Sequence, residues 1–148
     1  MIKKTFAYQK CRLAANPAYP QGRDAYSPMI PATIIASNGE WMRCEVLPDS
    51  GADHCIFPLD FAKSLKIDVF NLPHAHTGGV GCNTNETYYD WLTIDLGDGI
   101  NFYSLVGFTQ GMNVHGIGLL GQAGFFEYYR VEFLLSQRCF TIETIETI

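Results

Sequence analysis

The sequence predicts a mainly β domain, because it carries two strong hairpin signatures and few helical ones. Ile30 to Ala36 and Trp41 to Leu47 are both strand-like runs, with Ser37-Asn38-Gly39 between them. Asn-Gly supplies the positive φ angles that a tight hairpin turn requires. Trp91 to Leu96 and Ile100 to Val106 repeat the arrangement around Gly97-Asp98-Gly99, with β-branched and aromatic residues on both arms.

Helical signals are short. Pro58 heads Leu59 to Lys66, with proline in the first turn and lysine late, as the helix dipole favours. A second short helix is expected from Gln122 to Tyr128, where Phe125, Phe126 and Tyr129 recur at roughly helical spacing. Neither is long enough to build a bundle core. Residues 1–26 carry Pro17, Pro20 and Gly22 with little periodicity, which predicts an irregular N-terminal arm ahead of one domain spanning 27–148. No internal duplication is visible, so chemistry needing two equivalent halves would need two chains. The closing Ile-Glu-Thr repeat, Ile142 to Ile148, is β-prone yet lacks strand alternation, and strand and disorder both stay open there.

The 148 residues suffice for one domain that buries roughly two thirds of its unfolded surface. Hydrophobic residues make up 47% and charged residues only 17%, low beside the ~25% usual for soluble domains. A dimer interface or an aromatic-rich monomer would each account for that shortage of charge. Net charge is −5 with Lys and Arg scattered, so no basic stripe is available to neutralise a phosphate backbone, and nucleic acid is excluded as a partner. No apolar run reaches the ~18–20 residues of a membrane span, and Met1 to Lys10 lacks the apolar stretch of a signal peptide. The expectation is a soluble cytoplasmic protein without a membrane partner. Five widely spaced cysteines with no Cys-x-x-Cys pair read as reduced, mostly buried thiols. His74 and His76, even with Cys55 and Cys82, lack structural-zinc spacing, so neither metal nor cofactor is expected.

The segment that points to chemistry is Val46-Leu47-Pro48-Asp49-Ser50-Gly51-Ala52-Asp53-His54-Cys55-Ile56-Phe57. An acid ends an apolar strand, small residues turn the chain, and a second apolar run follows. Taken alone, this is a β-turn in which Asp49 caps its own backbone. The segment also resembles the Asp-Thr/Ser-Gly-Ala signature of aspartic proteases. Downstream, Gly78-Gly79-Val80-Gly81 resembles the tip of the flap that closes over substrate in that family. Ile117-Gly118-Leu119-Leu120-Gly121, followed by Gln122 to Phe126, resembles its second signature. The three motifs fall in the family's order across about residues 27 to 142 and are most similar to bacterial single-domain relatives of retroviral proteases, the retropepsins.

The resemblance implies a closed acid-protease-type β-barrel of a single lobe, all-β with one or two short helices. It implies an aspartic endopeptidase, a homodimer in which Asp49 faces Asp49 of a second copy, acting on a peptide or protein substrate. Ser50 would brace the opposing turn across the two-fold axis, and Gly51 would let backbone approach carboxylates and substrate. Ala52 and Asp53 would line the cleft, and Gly78, Gly79, Val80 and Gly81 would form the flap. Two positions depart from the family pattern. Pro48 precedes the acid, removing a backbone donor. Gln122 replaces the arginine that retroviral relatives pair with the acid at the position of Asp53, offering a neutral hydrogen bond instead. From a different class comes the reading of a catalytically silent peptide-binding or assembly module on the same fold. A metal-dependent activity near His74 and His76 ranks last.

Overall fold

The structure is a computed structural model that describes residues 1–78, 84–113 and 116–146. The chain opens with β1 (Lys3–Ala7), β2 (Gln9–Leu13) and β3 (Arg23–Ser27). Then come β4 (Ile30–Ala36), β5 (Trp41–Pro48), β6 (Cys55–Pro58) and the helix α1 (Leu59–Ser64). Next are β7 (His74–Gly78), β8 (Thr84–Asp95) and β9 (Asn101–Thr109). The last three strands are β10 (Gly118–Leu120), β11 (Tyr129–Leu134) and β12 (Cys139–Thr144).

Both predicted hairpins form. β4 pairs with β5 from Ile30↔Val46 to Ile35↔Trp41, and β8 pairs with β9 from Thr87↔Thr109 to Asp95↔Asn101. Neighbouring strands run β4-β5-β10-β6-β9-β8, and β8 then returns to β4, so six strands close a barrel. The same edge of β8 serves two partners: Leu92 to Asp95 pair with β4, whereas Thr84 to Tyr88 pair with β7. The β7–β8 hairpin therefore extends from the barrel wall.

Inward-facing residues follow the two-residue period of a strand. Ile30, Ala32, Ile34 and Ala36 of β4, Leu92 and Ile94 of β8, and Val106 and Phe108 of β9 are buried in one core with Phe57 and Leu120. The predicted helix after Pro58 is present, and it buries Ala62. It stops short of Lys66, which lies at φ 55, outside helical space.

Two sequence expectations are corrected. Gln122 to Tyr128 is a series of turns, not a helix. Gly124 lies at φ +95, which no α-helix accommodates. The spacing of the aromatics instead reflects packing: Phe125 is fully buried and stacks with Tyr129 at 5.2 Å. The leading residues, expected to be irregular, hold strands. β1 pairs with β12, from Lys3↔Glu143 to Ala7↔Cys139, and Phe6 stacks on the buried Phe140 at 5.2 Å. β2 and β3 form their own hairpin, whose connection is fixed where the Asn16 side chain accepts from the Ala18 and Tyr19 amides at 2.8 and 3.0 Å. The tail is ordered as strand through Thr144, held between β1 and β11 in a three-stranded sheet. No helix among the described residues is long and apolar enough to cross a membrane.

Candidate active site

The site begins where β5 runs out. β5 lies parallel to β10, with Val46, Leu47 and Pro48 opposite Gly118, Leu119 and Leu120. The missing amide of Pro48 leaves the pairing intact, because the next amide, that of Asp49, donates to the Leu120 carbonyl at 2.9 Å. The chain then turns back on itself. The Ala52 amide donates to the Asp49 carbonyl at 3.1 Å, and the Gly51 amide donates to Oδ1 of Asp49 at 2.9 Å. This is the self-capped acid turn that an Asp-x-Gly sequence allows.

A second segment clamps the turn from below. The Gln122 amide donates to the Ala52 carbonyl at 2.8 Å, and the Ala123 amide to the Asp53 carbonyl at 2.9 Å. The side chain of Gln122 adds a bond from Nε2 to the Ser50 carbonyl at 2.9 Å. Cys55 acts as a buried strut beneath: its Sγ accepts from the Gly121 amide at 3.5 Å and approaches the Ala123 carbonyl at 3.8 Å. Burial raises its thiol pKa, so it stands as a protonated packing group and not as a nucleophile.

The resulting turn presents Asp49 half-buried, with Ser50, Gly51 and Asp53 exposed and Ala52 buried. Asp49, Ser50, Gly51, Ala52 and Asp53 are thus brought together as one rigid corner. Gly78 stands elsewhere, in the last pair of the β7–β8 hairpin opposite Thr84. The expected flap residues Gly79, Val80 and Gly81 lie outside the described residues.

His54 follows directly on the turn. Its ring lies 5.4 Å from that of Tyr89 on β8 and is packed over Gly107, where a Cβ would come within 3.0 Å of Nε2. Nε2 is buried with no hydrogen-bond partner among the described residues. Burial lowers the pKa of His54, and the neighbouring Asp53 carboxylate opposes the shift. On β7, His74 and His76 both address Glu86 of β8, at 3.3 and 3.8 Å. Among the described residues no group of three His, Cys, Asp or Glu side chains is placed to hold a metal ion.

Three contributors escaped the sequence reading: the Gln122 side-chain bond, the Cys55 strut and the buried His54 nitrogen. Gln122 alone gave a signal, as a departure from the family pattern.

This arrangement defines a class by its fold. The chain has the closed barrel of the acid-protease type, and it is similar in structure to a retropepsin-like aspartic protease from Rickettsia conorii, with a TM-score of 0.54 and 16% sequence identity. The match covers 90% of this chain and 98% of that one. No family model and no curated protein sequence matches the chain.

Proposed function

We propose that the chain is an aspartic endopeptidase whose active site is completed by a second copy of itself. The observation that carries this reading is the placement of Asp49: a carboxylate at an exposed corner, oriented by the Gly51 amide at 2.9 Å and backed by the strand that carries the second glycine signature. One such corner supplies one Asp49 carboxylate. A two-fold symmetric pair would bring two Asp49 side chains together across the exposed Ser50 and Gly51, making active site and interface a single object.

Two carboxylates that close cannot both ionise, so the pair shares one proton and titrates as a unit. The charged member takes a proton from a water molecule as that water attacks the peptide carbonyl. The protonated member donates to the carbonyl oxygen, and no covalent intermediate forms. An extended peptide would bind by main-chain pairing, with the β7–β8 hairpin closing over it and excluding water.

The test is mass-spectrometric cleavage of a diverse peptide mixture between pH 3 and 7, comparing wild type with Asp49→Asn at high protein concentration. Cleavage that vanishes in the variant supports the reading. Equal cleavage by both proteins removes Asp49 from the chemistry, and silence from both returns the weight to a peptide-binding module.

A further inference from the structure

One peptide unit inside the turn is held at both ends, and its two bonds point in a single direction. The carbonyl of Ser50 accepts from Nε2 of Gln122 at 2.9 Å, and the amide that shares its peptide plane, that of Gly51, donates to Oδ1 of Asp49 at 2.9 Å. The sequence Gln122 Nε2–H, Ser50 C=O, Gly51 N–H, Asp49 Oδ1 is therefore a continuous hydrogen-bonded chain from the second signature to the carboxylate. The main-chain bonds from Gln122 and Ala123 reach the carbonyls of Ala52 and Asp53 instead. They fix the exit of the turn without touching this peptide plane.

We propose that Gln122 is a positioning residue for Asp49, acting through the Ser50–Gly51 peptide plane. Donation to the Ser50 carbonyl does two things. It prevents the plane from flipping, which keeps the Gly51 amide aimed at Oδ1. It also polarises the amide, since hydrogen bonds in series strengthen one another by about 10–30% each. Gln122 thus holds the Gly51 donor on the Asp49 carboxylate through the peptide plane between them. The family's arginine, by comparison, is spent on an acid; here the same position is turned toward the catalytic corner, and Asp53 makes no ion pair among the described residues.

The inference rests on the reading of Asp49 as catalytic, so its test has an arm independent of cleavage. Amide NMR of the full chain is recorded for wild type, Gln122→Met, which keeps length and removes the donor, and Gln122→Arg, which restores one. The Gly51 amide proton is expected to move upfield by tenths of a ppm in Gln122→Met and to return in Gln122→Arg, with the Asp49 amide, which donates to the Leu120 carbonyl, unmoved. In the cleavage arm, kcat is expected to fall several-fold in Gln122→Met and to recover in Gln122→Arg, with KM unchanged. A folded Gln122→Met variant whose Gly51 signal stays in place overturns the relay, whether or not the wild type cleaves peptides. Should Gln122→Met not fold, Gln122→Glu decides: its carboxyl donates to Ser50 only when protonated, so a Gly51 signal indifferent to that protonation overturns the proposal equally.

Discussion

Gly121 lies directly beneath His54, with no room for a side chain between them: a Cβ built on Gly121 would collide with the His54 carbonyl and stand 2.8 Å from the Ala52 carbonyl oxygen. Both neighbours are backbone, and the Ala52 carbonyl is already bonded to the Gln122 amide, so neither can yield without opening the acid corner. The glycine of the second signature is thus a packing requirement of the first. Gly121→Ala is expected to cost about 3 kcal/mol, the upper range for overpacking a rigid site. Urea denaturation measures it, and a variant within 0.5 kcal/mol of wild type would contradict the close approach.

The second strong dependence is at the chain ends. Phe140 on β12 is fully buried and carries the stacked Phe6 at 5.2 Å, the edge of Tyr8 at 5.5 Å and Phe133 at 6.0 Å. Phe140→Ala should cost about 3–5 kcal/mol, as removal of a buried ring leaves a cavity that its neighbours fill only in part. Phe133, 44% exposed on the same face, should cost about 1 kcal/mol on truncation. The comparison checks that β1 and β12 belong to the cooperative unit. Equal small losses at both positions would mean that the three-stranded sheet unfolds separately from the barrel.

These cases show which parts of the structure could be read from sequence. The β4–β5 and β8–β9 hairpins announce themselves through adjacent residues, Asn38-Gly39 and Gly97-Asp98-Gly99, and the acid corner through the contiguous Asp49-Ser50-Gly51. β1 has no such local signal, since its register is set by partners such as Glu143, far along the chain. The aromatics near Phe125 imitate a helix because core packing chose their spacing, while Gly124 at φ +95 breaks it. The bond from Gln122 to Ser50 spans 72 positions, so the sequence could flag the departure from arginine but not its new target.

The thiols should separate by burial. Cys11 is exposed, whereas burial, helped by the Glu45 carboxylate, pushes Cys44 up to about 12. Cys55 is also raised by burial. Only the thiolate reacts, so alkylation at pH 8 is expected to mark Cys11 within minutes and to reach Cys44 and Cys55 only after denaturation. Peptide mapping of the labelled protein provides the check. Labelling of Cys44 at the rate of Cys11 in the folded chain would show that β5 opens locally.

His54 should make the fold sensitive to acid. Its folded pKa is lowered from 6.5 by burial against Tyr89 and Gly107, and the facing charge that resists the shift is Asp53. A group depressed in the folded state binds its proton more readily when unfolded. Its contribution to stability is therefore fully present above about pH 6.5 and is lost as pH falls toward the lower folded value. The unpartnered Nε2 gives the structural reason: the charged ring would need an acceptor there, and none among the described residues receives an N–H from it. Wild type should lose more of its urea midpoint between pH 7.5 and pH 5 than His54→Gln does. The other histidines are common to both proteins, so the difference isolates this ring. Identical pH dependence in the two would mean that Nε2 reaches water or a partner on protonation, and that the packing of this ring over Gly107 is looser than the close approach implies.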